Sequence, residues 1–173
     1  MTLLAEASSQ QPENATGPEI RRMWRGGTDG KFGYEYRKLL HKAGLRPTRQ
    51  RMVLGCIMFA KGNRHLTAEM IHDEALREGI PISLATVYNT LNQFTDAGLL
   101  RQIGVDGTKA FFDTNPTDHH HFFLHDVDAL VDIPDSAVSV EALPEPPPGY
   151  EITRVDVVVR LRRKNVTMAP DQA

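Results

Sequence analysis

The sequence predicts an α+β protein, with a helical first half that ends in a β-hairpin and a smaller α/β second half. Three observations predict it. Apolar residues recur at helical spacing in four segments between Phe32 and Ala97. From Leu100 the chain turns to short strand-like segments rich in Val, Phe and Ile. Between the two halves, Asn115-Pro116-Thr117-Asp118 breaks both patterns.

Residues 1–30 mix Ser, Gln, Pro, Gly and Thr, and Gly26-Gly27 and Gly30 interrupt any helix. They are expected to form a flexible arm, with Ile20, Met23 and Trp24 at most a docking turn. Tyr36, Leu39, Leu40 and Ala43 then follow a helical stripe that stops at Gly44. Thr48 is placed to cap a second helix, whose stripe is Met52, Val53, Cys56, Ile57 and Phe59-Ala60. Thr67 opens a third, with Met70, Ile71, Ala75 and Leu76 on one side. Ser83 caps a fourth, running to Ala97-Gly98.

Leu100–Val105 and Lys109–Asp113 flank Asp106-Gly107, a strong turn dipeptide, and predict a two-stranded hairpin. Beyond the break, Phe122–Leu124 and Ala129–Ile133 predict strands and Ser136–Leu143 a helix. The Val-rich alternation of Tyr150–Leu161 predicts another strand. The expected organisation is an arm over 1–30, a first domain over 31–114, a second over 119–165 and a frayed tail over 166–173.

Of the 173 residues 40% are apolar, and the net charge is −2. No apolar run approaches the roughly 18 residues of a membrane span, and the N-terminus lacks the order of a signal peptide. A cytoplasmic protein without a membrane partner is expected. The single cysteine, Cys56, excludes an internal disulfide and any zinc site built from cysteine pairs. The net charge conceals an uneven distribution: residues 20–64 hold 12 basic side chains against only Asp29 and Glu35. Residues 111–173 hold 5 basic and 11 acidic ones. A concentrated basic stretch suits a polyanion.

Helices followed by a hairpin, within a basic segment, give the order of a winged helix, whose third core helix enters the major groove of DNA. The reading helix is then roughly 84–97, presenting Ser83, Thr86, Tyr88, Asn89 and Thr90 to base edges. Lys38, Lys42, Arg46, Arg49, Arg51 and Lys109 are the candidate phosphate contacts. The implied partner is double-stranded operator DNA.

Four of the seven histidines lie within seven residues: His119, His120, His121 and His125. On an extended chain His119, His121 and His125 share one face and His120 points to the other. Imidazoles with Asp113, Asp126, Asp128 and Asp132 nearby suit zinc, iron, manganese or haem iron. No nucleophile–base pair, phosphate loop or His-Glu-x-x-His helix is visible, so an enzyme is not expected.

Gly44-Leu45-Arg46-Pro47-Thr48-Arg49-Gln50-Arg51, then His65-Leu66-Thr67-Ala68-Glu69, then Ile82-Ser83-Leu84-Ala85-Thr86-Val87-Tyr88-Asn89-Thr90-Leu91 and the histidine run, together resemble the ferric uptake regulator (Fur) family over roughly residues 35–162. The resemblance implies a homodimeric or higher-order winged-helix transcription regulator whose second domain dimerises. It also implies an inter-domain metal site at His65, Asp113, His121 and Asp132, with aspartates where glutamates are common. The family's usual Cys-x-x-Cys falls on Leu124–Val127, so no cysteine-based structural zinc is expected, and a usual late histidine falls on Val155. These departures, with Phe122-Phe123-Leu124-His125, resemble the iron response regulator (Irr) branch. That branch implies a regulator of iron and haem genes, active when iron is scarce and inactivated by haem held by His119, His120 and His121. The branch's Cys-Pro haem motif is missing, since Ile57 follows Cys56. The alternative is a repressor of the same fold activated by Fe(II), Mn(II) or Zn(II).

Overall fold

A computed structural model describes residues 16–27, 30–105 and 109–164 of the chain. The chain divides into two compact units, Met1–Thr117 and Asp118–Ala173. The expected turn at Asp106-Gly107 and the tail at 166–173 lie outside the described residues, as does the arm before residue 16.

The described part of the first unit opens with a helix inside the segment expected to be a flexible arm. In α1 (Gly17–Trp24), Pro18 sits in the first turn and the Glu19 carboxylate accepts the Thr16 backbone N–H at 2.8 Å. Ile20 and Met23 are buried, and Arg21 reaches Glu78 at 2.6 Å. Two apolar anchors in eight residues are too few to show a period. The helix is held by a tertiary surface, the side of α3 (Arg49–Phe59).

Between them, α2 (Lys31–Lys42) buries Phe32, Tyr36 and Leu40. It ends where Gly44, at φ +72°, lets the Leu45 N–H return to the Leu40 carbonyl at 2.8 Å. Helix α3 starts at Thr48, whose hydroxyl accepts from Arg51 N, and is buried without a break from Met52 to Phe59. It is the hub of the unit, contacting α1, α2, α4 (Ala68–Arg77) and α5 (Leu84–Asp96). Thr67 and Ser83 cap α4 and α5 through their hydroxyls, as their positions in the sequence suggest. The buried stripe of α4 is Ala68, Ile71 and Ala75. Met70 and Leu76, expected to share it, are 43% and 49% exposed because the stripe is narrower than the apolar pattern.

A three-stranded antiparallel sheet closes this unit. β2 (Arg101–Gly104) and β3 (Ala110–Asp113) form the hairpin, and β1 (His65–Leu66) adds to the outer edge of β3. A strand this short carries no alternation by which the sequence could announce it. Helices with this hairpin make the winged-helix unit of the expected α+β fold.

The second unit is a sheet in the order β5-β4-β6. β4 (His120–Leu124) pairs antiparallel with β5 (Ala129–Ile133) and parallel with β6 (Val158–Leu161). Two expectations fail here. The helix over 136–143 is a single 3-10 turn, Asp135–Ala137, and the strand over 150–161 is confined to Val158–Leu161. Residues 139–154 are exposed throughout. Pro144 and Pro146-Pro147-Pro148 offer no N–H to a ladder, and alternation without a pairing strand does not make a sheet.

Tyr36 lies directly against Gly55. The Tyr36 ring is fully buried, stacked on Phe32 at 6.4 Å and tilted against Phe59 at 5.9 Å. A Cβ on Gly55 would overlap the Tyr36 hydroxyl and ring. Gly55→Ala is therefore expected to destabilise the unit by about 1–3 kcal/mol or more, against the small gain that alanine usually brings to a helix. A thermal melt of the variant as stable as wild type would contradict this packing.

Candidate metal centre and nucleic-acid interface

The N-terminal part of α5 presents Tyr88, 41% exposed, and exposed Asn89. Ser83 is exposed as well, but its hydroxyl is committed to the cap, accepting from Thr86 N and lying 2.8 Å from Thr86 Oγ1. Thr90 does not belong to this face. It is 4% exposed, and its hydroxyl donates back to the Thr86 carbonyl at 2.9 Å. The alternation of polar residues hid this, since position 90 lies one helical step from the core residues Val87 and Leu91.

Lys38, Lys42, Arg46, Arg49 and Lys109 are exposed. Lys38 lies over the Tyr34 ring at 5.2 Å, and the Arg49 guanidinium lies 5.8 Å from the Trp24 ring, which ties α1 to the start of α3. Arg51 is placed differently. Its Nε donates to Gln93 Oε1 at 2.9 Å and its Nη1 to the Arg46 carbonyl at 2.7 Å, clamping the start of α3 to α5.

The first group of candidate ligands is made by strand pairing. In the β1–β3 ladder His65 stands opposite Asp113 and Leu66 opposite Phe112. Arg64 and Thr114 extend that ladder, Arg64 N donating to Thr114 Oγ1 at 2.8 Å and Thr114 N to the Arg64 carbonyl at 3.0 Å. Asp113 is buried. One carboxylate oxygen accepts Asn115 N at 2.8 Å, and the other faces His65 Nε2 at 3.7 Å.

The second group sits in the other sheet. His121 stands opposite Asp132 in the β4–β5 ladder, and His119 precedes it by two residues on the same face. The two imidazoles are buried with ring centroids 4.5 Å apart. Both Nε2 atoms approach one Asp132 oxygen, at 3.3 Å from His119 and 3.7 Å from His121. Two imidazole nitrogens and a carboxylate oxygen form a borderline donor set suited to Zn(II), Fe(II) or Mn(II). Ligand atoms bound to one such ion at about 2.0–2.2 Å lie about 3–3.5 Å apart; the His119 contact falls in that range and the His121 contact lies just outside it. The donor set fits a divalent cation.

His120 and His125 do not join this group. His120 lies on the other face, where its Nδ1 accepts the Val157 N–H at 3.4 Å. The lone pair of that nitrogen is engaged by the backbone. His125 is exposed beyond the end of β4, its ring edge-on to Phe123 at 6.0 Å.

The model of the ferric uptake regulator family matches residues 42–158. The chain belongs to that family. Its transcription-regulator members include the ferric uptake regulation protein of Haemophilus influenzae, which is 35% identical over 102 residues, covering 58% of this chain and 70% of that one. That of Pseudomonas aeruginosa is 30% identical over 129 residues, covering 72% of this chain and 95% of the relative. The solved structure of the Pseudomonas aeruginosa ferric uptake regulator with manganese aligns with a TM-score of 0.58 at 27% identity, covering 74% of this chain and 97% of that one. Among the described residues no helix is long and apolar enough to cross a membrane.

In this family member, three parts of the site escape a reading of the sequence. One is β1 itself, which delivers His65. Another is Glu74, paired with Arg64 and, at 3.2 Å, with Lys61, so that α4 holds the residue next to His65. The last is Glu69, which accepts the Tyr88 hydroxyl at 2.7 Å. None carries a local signal, because each partner is at least ten residues away.

Burial pushes the Glu74 carboxyl up, but the hydrogen bond and charge of Arg64, with those of Lys61, outweigh it and hold it below the ordinary carboxylate range. A lowered folded-state pKa contributes stability above the unfolded value, which is lost as pH falls through the folded one. Glu74→Gln is therefore expected to lower the melting temperature at neutral pH, with the gap from wild type closing in acid. A gap that persists unchanged below the carboxylate range would show that the ion pair is not its source.

Proposed function

We propose that this chain is a dimeric, metal-responsive transcription regulator that binds operator DNA through α5 and the hairpin. The observation that carries the metal response is the donor set of His119, His121 and Asp132, brought together by the β4–β5 register. His65 and Asp113, the other two residues for which the resemblance implies ligation, form a second cross-strand pair. A divalent cation held by His119, His121 and Asp132 would supply positive charge to that sheet. His65 and Asp113 could hold one at the root of the wing, which lies in the same sheet as β1 and β3.

The basic stretch over 20–64, with exposed Arg46, Arg49 and Lys109, supports contact with phosphates. Dimerisation is supported by the second unit's composition. Among its described residues the buried apolar side chains are Phe123, Leu130 and Ile133, whereas Val140, Leu143, Tyr150 and Ile152 are exposed. Such a small core gains stability from a second copy.

The iron response regulator reading assigns the signal to haem and uses the same His119 and His121. The Asp132 carboxylate that both imidazoles approach, and the opposite orientation of His120, favour a small divalent cation over a haem face. One experiment separates the two: operator binding by metal-free protein, titrated in parallel with Mn(II) and with haem. Mn(II) is expected to tighten binding, and His121→Ala or Asp132→Asn to weaken Mn(II) affinity by more than about tenfold. Loss of operator binding over the concentration range in which a Soret band develops, with Mn(II) inert, would establish the haem reading instead.

A further inference from the structure

The recognition helix carries a contact that DNA recognition by itself does not require. Tyr88, the more exposed aromatic side chain of α5, donates a hydrogen bond from its hydroxyl to Glu69, on the first turn of α4, across 2.7 Å. The bond stabilises the ionised carboxylate. The Tyr88 hydrogen bond foremost, then backbone and Thr67 donors and the charge of Lys109, hold the Glu69 carboxyl below its ordinary value, while the same bond raises Tyr88. Glu69 is thus a full negative charge on the face that would meet phosphates. Charge alone would make this an error, since a carboxylate there repels every duplex equally.

We propose that Glu69 is a specificity-determining positioning residue, which holds the Tyr88 ring toward the bases and withholds its hydroxyl from the DNA backbone. Two consequences follow from the geometry. A tyrosine with a free hydroxyl can donate to any phosphate oxygen, a contact that carries no sequence information. Bonded to Glu69, Tyr88 has that donor occupied, and its hydroxyl oxygen can then only accept, which phosphate oxygens cannot answer; what meets the bases is the ring, whose apolar edge can touch a thymine methyl. Glu69 itself is fixed at the start of α4, one residue after the buried Ala68 and two after the capping Thr67, so the ring is tied to a rigid element. The carboxylate then lowers affinity for all sequences while raising discrimination among them, which is the balance a regulator searching non-specific DNA needs.

This assignment rests on the DNA-binding function proposed above. The test uses the full chain with Mn(II), a duplex selected by the wild-type chain from a randomised pool, and a scrambled duplex of the same composition. The readout is the ratio of the two affinities. Glu69→Ala is expected to lower the ratio about tenfold, the scale of one lost base contact, while binding the scrambled duplex more tightly. Tyr88→Phe is expected to lower the ratio similarly, and the double variant no further, because both remove one interaction. Glu69→Gln, whose amide oxygen still accepts the hydroxyl, is expected to tighten binding to both duplexes and keep the ratio near wild type. A wild-type chain that discriminates, with Glu69→Ala discriminating equally well, would overturn this inference alone. So would Glu69→Gln losing as much as Glu69→Ala. A wild-type chain that selects no duplex would overturn the regulator function and this inference with it.

Discussion

Antiparallel pairing places residues of two strands side by side with their side chains on the same face, and both groups of candidate ligands depend on that constraint. His65 meets Asp113, and His121 meets Asp132, because each pair is directly opposed in a ladder. A slip of one residue in either register would send the carboxylate to the far face of its sheet and dissolve the donor set. The devices that hold the first register are local and numerous. Arg64 and Thr114 close the ladder, Asn115 pins one Asp113 oxygen, and Glu74 on α4 anchors Arg64 from behind.

The first unit is organised so that its sheet and α5 share one core with α3. Helix α3 is buried over Met52–Phe59 and touches four other helices, so it tolerates no added volume at Gly55, where Tyr36 crosses it. Around that core the polar contacts fix orientation. Arg51 clamps α3 to α5, Glu69 joins α4 to α5, and Arg49 over Trp24 brings α1 to the same end of α3. Each is individually a small contribution to stability. Their effect is to set where the exposed side chains of α5 point.

The helices of the first unit were legible in the sequence because their caps and stops are local. Thr48, Thr67 and Ser83 each cap the helix that their position announces, and Gly44 ends α2 with the positive φ that glycine allows. The histidine run was legible too, and period two separates His119 and His121 from His120. Failure followed where an element depends on a distant partner. Helix α1 exists because α3 offers it a surface, β1 because β3 offers it an edge, and residues 139–154 have neither. Thr90 shows the same limit at one residue, since polar character suggested the DNA face while its helical phase placed it in the core.

By itself the sequence determined the α+β class, the capped helices, the basic first half and the stock of imidazoles and carboxylates. Those properties are local or additive, and they survive whatever the chain folds against. Only the tertiary structure decided which carboxylate meets which imidazole, and that Glu69 meets Tyr88. Those pairs join residues from 11 to 48 positions apart. Their meeting follows from strand register and helix packing, which depend on the whole chain closing on one core.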